Sequence, residues 1–406
     1  MNVRRSAAVL AAAAVLGAAA PAAADSSPSP TPQALPSALY GDTDPQYDGV
    51  WRQSLALLAQ HAAGAEPPKA AVGWLTGQQC ADGSFAPFRA DPSAVCDAKT
   101  MVDTNQTAAA VQALAALGGH DAVTEKAVGW LKSVQNKDGG WGYTAGGASD
   151  TNSTSVVIGA LAAAGEKPGE VKNSGKSPYD ALLGLELPCT GEGAGAFAFQ
   201  PEKDGSLAAN ADATAAGMLG ALGKGLLVEP GKGDGEAAGS CVKATTPEQA
   251  AANGAAHLSG ELTAEGHLLA VTPGGEEQPD FGNTADAVIA FAARGDAAQA
   301  DKSYAWLEKN AADWAAQSGP AAYAQLILAA HATGADPRDF GGTDLVKQLQ
   351  AAGPAAPGKT TKATEKDEDE KDESSPFGVW WFVGVCLVAG IGIGFLISNR
   401  TKRQQP

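Results

Sequence analysis

The stretch Gln135–Gly165 reads QNKDGGWGYTAGGASDTNSTSVVIGALAAAG, and its interpretation decides the fold. Just upstream and into it, Ala127, Val128, Trp130, Leu131 and Val134 recur at three- and four-residue spacing, the period of a helix with one buried face. That helix feeds a Gly-rich turn, Asp138–Gly147, then a polar cap, Asp150-Thr151-Asn152, and a helix of small residues, Ser153–Ala164. An acceptor side chain at such a start satisfies backbone N–H groups that have no partner within the helix. Gly165, just past the last apolar residue, suits a C-cap.

The unit repeats. AVGWLTGQQCADGSFAPF at Ala71–Phe88 matches AVGWLKSVQNKDGGWGY, and DTNQTAAAVQALAALGG at Asp103–Gly119 matches DTNSTSVVIGALAAAGE. A supersecondary unit recurring at roughly 50-residue intervals builds a stacked or ring-closed array. Small-residue helices are expected near 48–64, 104–118, 151–165, 211–223, 284–294 and 320–333. Each precedes a bulkier helix, starting near 68, 123, 178, 247, 297 and 343, with Ala297–Trp314 read as one such helix. An open solenoid needs capped ends, and none is evident. The expectation is an all-α protein, an α6/α6 toroid over residues 47–352 with small-residue helices inside and Trp/Leu helices outside.

The ends suggest export. Residues 1–24 have the parts of a signal peptide: Arg4 and Arg5, the apolar Ala7–Ala20, and Ala22-Ala23-Ala24 before Asp25. A Pro/Ser-rich leader follows over 25–46. After a charged stalk at 353–376, Phe377–Ile397 carries no charge and is long enough to cross a bilayer as a single transmembrane helix. Trp380 and Trp381 mark one interface, and Arg400, Lys402 and Arg403 would hold the tail, 398–406, in the cytoplasm. The expected location is the cell membrane, single-pass, with the toroid outside.

The formal net charge of -17 argues against a nucleic-acid partner, whose phosphates require a basic footprint. The run Glu365–Glu373 reads as a solvated, self-repelling part of the stalk. Of the cysteines, Cys386 lies in the apolar segment, leaving Cys80, Cys96, Cys189 and Cys241. Four cysteines allow three pairings. Cys80–Cys96 would close a Gly-rich turn and Cys189–Cys241 a long insertion, and such bridges persist outside the cytoplasm. No Cys-x-x-Cys with a neighbouring histidine suggests zinc, and no cofactor is expected.

The motifs QNKDGGWGY, DTNQTAAAVQALAALG and DTNSTSVVIGALAAAG resemble the prenyltransferase and squalene-oxidase repeat. That repeat builds the toroids of terpenoid cyclases, protein prenyltransferase β subunits and the α domains of cobalamin carriers. The resemblance is specific in the second and third helix pairs and weak after Tyr179. The cyclases' D-x-D-D acid is missing, as is the prenyltransferases' zinc-binding Asp-x-Cys; the histidines are scattered. The resemblance therefore implies the fold and disfavours those two chemistries.

The cobalamin-carrier arm, whose inner helices open with a D-T-x-x-A pattern, implies a ligand site at the toroid mouth. It makes Asp103, Thr104, Gln106, Asp150, Thr151 and Asn152 candidate ligand contacts, with Asn210, Asp212 and Asn283 at looser equivalents and Tyr323 and Gln325 beyond them. Helix capping alone would also account for such residues. The carriers' β domain has no counterpart here. Three readings remain open: capture of a ligand, a corrinoid among them, without catalysis; docking to a transporter or cell-wall partner; and an enzyme of unrecognised chemistry using Asp103 and Asp150 as acid and base. Leu187-Pro188-Cys189-Thr190-Gly191 matches a sortase pattern but lies far from the terminal apolar segment, and the Asn105 and Asn152 sequons fall at cap positions.

Overall fold

In a computed structural model of the chain, residues 35–231, 239–271 and 276–354 are described. The expected signal peptide, most of the charged stalk and the apolar Phe377–Ile397 segment lie outside those residues. Among the described residues no helix is long and apolar enough to cross a membrane.

Every expected small-residue helix is present: α1 Gly49–Ala62, with α2 Lys69–Gly77 after it; α3 Thr104–Leu117, then α4 Asp121–Ser133; α5 Thr151–Ala163, then α6 Pro178–Leu185. The series continues with α7 Ala211–Ala221, α8 Pro247–Glu261, α9 Phe281–Arg294, α10 Ala297–Asn310, α11 Ala312–Ser318, α12 Pro320–Thr333 and α13 Leu345–Ala351. The helix expected over Ala297–Trp314 is interrupted at Ala311, the cap shared by α10 and α11.

Helices α1, α3, α5, α7, α9 and α12 pack each against the next, and α12 returns to α1, so the inner helices form a closed ring. Helices α2, α4, α6, α8, α10 and α13 each lie on the inner helix that precedes them, giving an α/α toroid. The inner helices are buried nearly all round: in α3 every residue from Thr104 to Leu114 is buried. A helix that is small and uncharged on all faces has no solvent side to offer, so it belongs inside. The outer helices bury one stripe; in α4 it is Thr124, Ala127, Val128, Trp130 and Leu131.

One local device recurs in four units and explains the repeat. The inner helix opens with Asp103, Asp150, Asn210 or Asp280, whose side chain accepts the N–H of Gln106, Ser153, Ala213 or Asn283. One turn on stands a threonine. The hydroxyls of Thr107, Thr154, Thr214 and Thr284 accept the backbone N–H of Phe85, Trp141, Phe197 and Leu268, each at 3.0 Å. The caps of the first three units also donate their N–H to the carbonyls of Phe85, Trp141 and Phe197. A buried aromatic residue in each of these turns is thus clamped to its own inner helix. Adjacent units are joined in the same way, because Thr104 N donates to Tyr143 O and Thr151 N to Phe199 O, both at 2.9 Å.

Two features depart from the expectation. An antiparallel hairpin, β1 Leu268–Val271 with β2 Glu277–Asp280, precedes α9, so the fold is not purely helical. It extends a bridge that the first unit makes with a single residue pair, Phe85 with Asp103. The expected leader also ends too late at 46. Leu39 and Tyr40 are buried, Gly41 N donates to Ala352 O at 2.8 Å, and Tyr40 fills the seam where the chain's first and last units meet.

Both expected disulfides form, Cys80–Cys96 and Cys189–Cys241. The Gly-rich insertion that begins at Leu226 turns inward at its start: Leu226 and Leu227 pack on the core and Val228 is 4% exposed.

Candidate functional site

The ring encloses a cavity of about 140 Å³ to which all of its inner helices contribute. Because each inner helix reaches the next through an outer one, the inner helices run in one direction and their starts gather at one end. The lining can therefore be read by depth. Trp51, Asn152, Asp212 and Asn283, each near the start of its helix, form the upper level. One turn deeper are Ser155, Asp286 and Gln325, beside Leu55, Val156 and Ala216. Deeper still lie Leu219, Ile289 and Leu328 with Gln112.

Lys224, Gly225 and Leu226 close the deep end. Gln112 ties them down, accepting Leu226 N at 2.8 Å and donating to Val156 O at 3.0 Å. A Cβ at Gly159 would come within 2.6 Å of the Gly225 Cα, so only glycine lets the strap cross α5 this closely.

The polar levels have a consistent sense. Asn152 Nδ2 donates to Asp212 Oδ2 at 2.6 Å, Gln325 Nε2 to Asp286 Oδ1 at 2.7 Å, and Asn283 Nδ2 to Asp280 Oδ2 at 2.7 Å. Asn152 Oδ1 and Ser155 Oγ have no hydrogen-bond partner although their residues are only 7% and 4% exposed. Buried polar atoms of this kind are normally paired, with protein, water or ligand.

Burial raises the carboxyl groups. Asp286 is pushed up to about 7 by desolvation and then by the charge of Asp212, with Asp280 adding to it against the opposing Gln325 bond. Asp212 reaches about 6 by desolvation, opposed by its bond from Asn152 and raised further by Asp280. No ion pair links Lys224 to either carboxylate, and no group of His, Cys, Asp or Glu among the described residues converges to hold a metal.

The residues singled out from the sequence separate into two sets. Asn152, Asp212 and Asn283 line the cavity. Asp103, Asp150 and Asn210 are N-caps outside it. Thr104 is fully buried and Thr151 donates its hydroxyl to Ala198 O at 2.5 Å. Gln106 is taken up by the segment leading into α1, accepting Trp51 N at 2.6 Å and donating to Tyr47 O at 3.2 Å. Tyr323 is buried and does not line the cavity, whereas Gln325 does. Asn283 is not a cap; Asp280 holds that place.

Asp103 and Asp150 do not act as a pair in the cavity. Desolvation pushes Asp103 up to about 7 against the N–H of Gln106, and Asp150 to about 6 against its Ser153 bonds. Reading the caps missed Trp51, Gln112, Ser155 and Asp286. The available signal was a polar residue one turn into an otherwise apolar inner helix, as in Asn283-Thr284-Ala285-Asp286.

No protein-family model matches the chain, and no curated protein does. Among solved structures it is similar to an ent-copalyl diphosphate synthase from Streptomyces platensis, at 17% identity and a TM-score of 0.45. That alignment covers 70% of this chain and 50% of the synthase, so the chain spans about half that protein's length. A protein from Actinoplanes matches at 17% identity and TM-score 0.43, over 74% of this chain and 79% of its own. A type II terpene cyclase from Scytonema, solved with geranylgeranyl dihydroxybenzoate, matches at 16% identity and TM-score 0.42, over 74% and 81% respectively. These are distant similarities in the arrangement of helices.

Proposed function

We propose that the protein is a membrane-anchored, extracytoplasmic toroid that captures a small ligand in its central cavity without transforming it. The observation that carries this reading is the cavity itself, lined by Asn152 and Ser155 among others, whose Oδ1 and Oγ are buried without partners. The extracytoplasmic placement is supported by the two disulfides and the export-like ends of the sequence. Pockets for drug-sized ligands occupy roughly 300–1,000 Å³. A cavity of about 140 Å³ therefore favours a ligand of few heavy atoms, and a corrinoid would rest across the mouth.

The test is native mass spectrometry of the full-length protein in detergent, followed by a thermal-shift screen of small solutes and cobalamin. Saturable binding that disappears in Ala216→Leu, which fills the cavity wall, supports capture. Binding indifferent to that change, or no binding by any solute, sinks it.

A second reading is an enzyme. Two cavity carboxyls raised toward neutrality, Asp212 and Asp286, are suited to trade protons at ordinary pH. Turnover of a captured solute, lost in Asp286→Asn with the fold intact, would replace capture with catalysis.

A further inference from the structure

We propose that the cavity takes a small primary amine in its ammonium form, the cationic head between Asp212 and Asp286 and a short alkyl or aryl body against the deep apolar level. The proposal rests on the cavity being a capture site and adds the chemical class of what is captured.

The hydrogen-bond inventory points to a donor. Carboxylates accept only, and each amide of the polar levels has turned its N–H₂ group to one: Asn152 to Asp212, Gln325 to Asp286, Asn283 to Asp280. The amide donors of these levels are thereby directed at the site's own acids. What is left over is acceptor capacity, on the Asp212 and Asp286 carboxyls that line the cavity and on Asn152 Oδ1, which is buried with no partner. An ammonium group brings three donors and no acceptor, which matches that surplus. A neutral alcohol supplies one donor, and a carboxylate supplies none.

The ring places an aromatic residue opposite Asp212. In the order α1, α3, α5, α7, α9, α12, the helix across from α7 is α1. Trp51 of α1 thus stands at the same level as Asp212, on the far wall. A cation near both gains from the carboxylates and from the indole face. Below the head, Leu219, Ile289 and Leu328 accept a hydrocarbon body. An apolar cavity of about 150 Å³ suffices for benzene, so a single aryl ring is the right scale for about 140 Å³.

The other charged groups do not supply this cation. Lys224 at the closed end is exposed and pairs with neither acid. Around Asp212 and Asp286 stand Asp150, Asp280, Asn152, Gln325 and Lys224, and the first two add only negative charge.

The experiment titrates the full-length protein by calorimetry with three near-isosteres: 2-phenylethylamine, 2-phenylethanol and phenylacetate. At pH 8 the amine should bind at least tenfold more tightly than either of the others. Asp212→Asn or Asp286→Asn should weaken the amine at least tenfold and leave the alcohol unchanged. Should those variants fold poorly, the wild-type protein provides a second readout. A cation beside two partly protonated acids expels protons, so at pH 6.5 the binding heat should vary with the buffer's ionisation enthalpy, in the sense of proton release. Equal binding of the alcohol, or amine binding without proton release, would overturn the ammonium assignment. If Ala216→Leu also abolished that alcohol binding, capture itself would stand. If none of the three compounds bound at millimolar concentration, the assignment would fail, and capture would then depend on the wider screen.

Discussion

A single buried carboxyl can be costly even where it does structural work. Asp103 caps α3 through the Gln106 N–H, yet it is 2% exposed and its Oδ2 lacks an aligned partner. Its carboxyl is raised from the ordinary range to about 7, so the folded protein holds a proton there that the unfolded chain has given up. A group shifted this way stabilises below its unfolded value near 3.8 and loses that contribution as the pH rises through about 7. Asparagine caps a helix about as well as aspartate does. Asp103→Asn is therefore expected to stabilise the protein by about 1–2 kcal/mol at pH 8 and by almost nothing at pH 4, read from denaturant unfolding at both pH values. Glycine supplies a second contrast. Gly139 has φ +93°, and a Cβ there would meet Ser177 O at 2.1 Å, whereas Gly165 has φ +78° and open space around it. Gly139→Ala should cost about 3 kcal/mol, from backbone strain and a clash with a carbonyl that cannot yield, and Gly165→Ala about 1 kcal/mol, from strain alone.

At the scale of the element, the clamp between cap, threonine and turn is the unit of construction. Thr154→Val keeps the side chain's shape but leaves the Trp141 N–H without its acceptor. An orphaned buried N–H costs about 1–3 kcal/mol, and thermal unfolding of the variant should show that loss. The insertion after α7 is a different kind of element, a strap across the deep end of the ring, and Cys189–Cys241 secures the chain beyond it. That bridge spans 52 residues, and Cys80–Cys96 spans 16. By chain entropy the longer loop contributes about 1 kcal/mol more. Replacing Cys189 and Cys241 by serine should therefore lower the guanidinium midpoint further than replacing Cys80 and Cys96.

For the whole molecule, closure of the ring is the decisive feature. Tyr40 is fully buried at the seam, its N–H donates to Gln53 Oε1 at 3.0 Å, and its hydroxyl accepts from Gln60 Nε2 at 2.6 Å. A Cβ on Gly353 would lie within 2.1 Å of its ring. Tyr40→Ala should cost about 4 kcal/mol, as deletion of a large buried aromatic does. A linear array can fray from its ends, but a ring whose last helix packs on its first has none. Unfolding of the described region should accordingly be one transition, with circular dichroism and tryptophan fluorescence superimposing.

The sequence by itself determined the helices and their nesting. A repeat that alternates all-small with one-faced helices leaves the small ones nowhere to go but inside, and polar caps at fixed distance from Gly-rich turns set their starts. It favoured the disulfide partners, because each pair closes a loop within one region of the chain, but four cysteines allow three pairings and the structure decided among them. The cavity was decided by tertiary structure alone. Asp212 and Asp286 stand on different helices and acquire their shared environment only when α7 and α9 pack side by side. Which cap-adjacent residues face inward depends on helix rotation, and period alone cannot give it when a helix is buried on every face. Asp103 and Asp150 carry the more conspicuous motif, but packing closes over them. The inward turn of Lys224–Leu226 depends on Gln112, more than a hundred residues earlier, and on the absence of a Cβ at Gly159. Contacts of that range leave no periodic trace in a sequence.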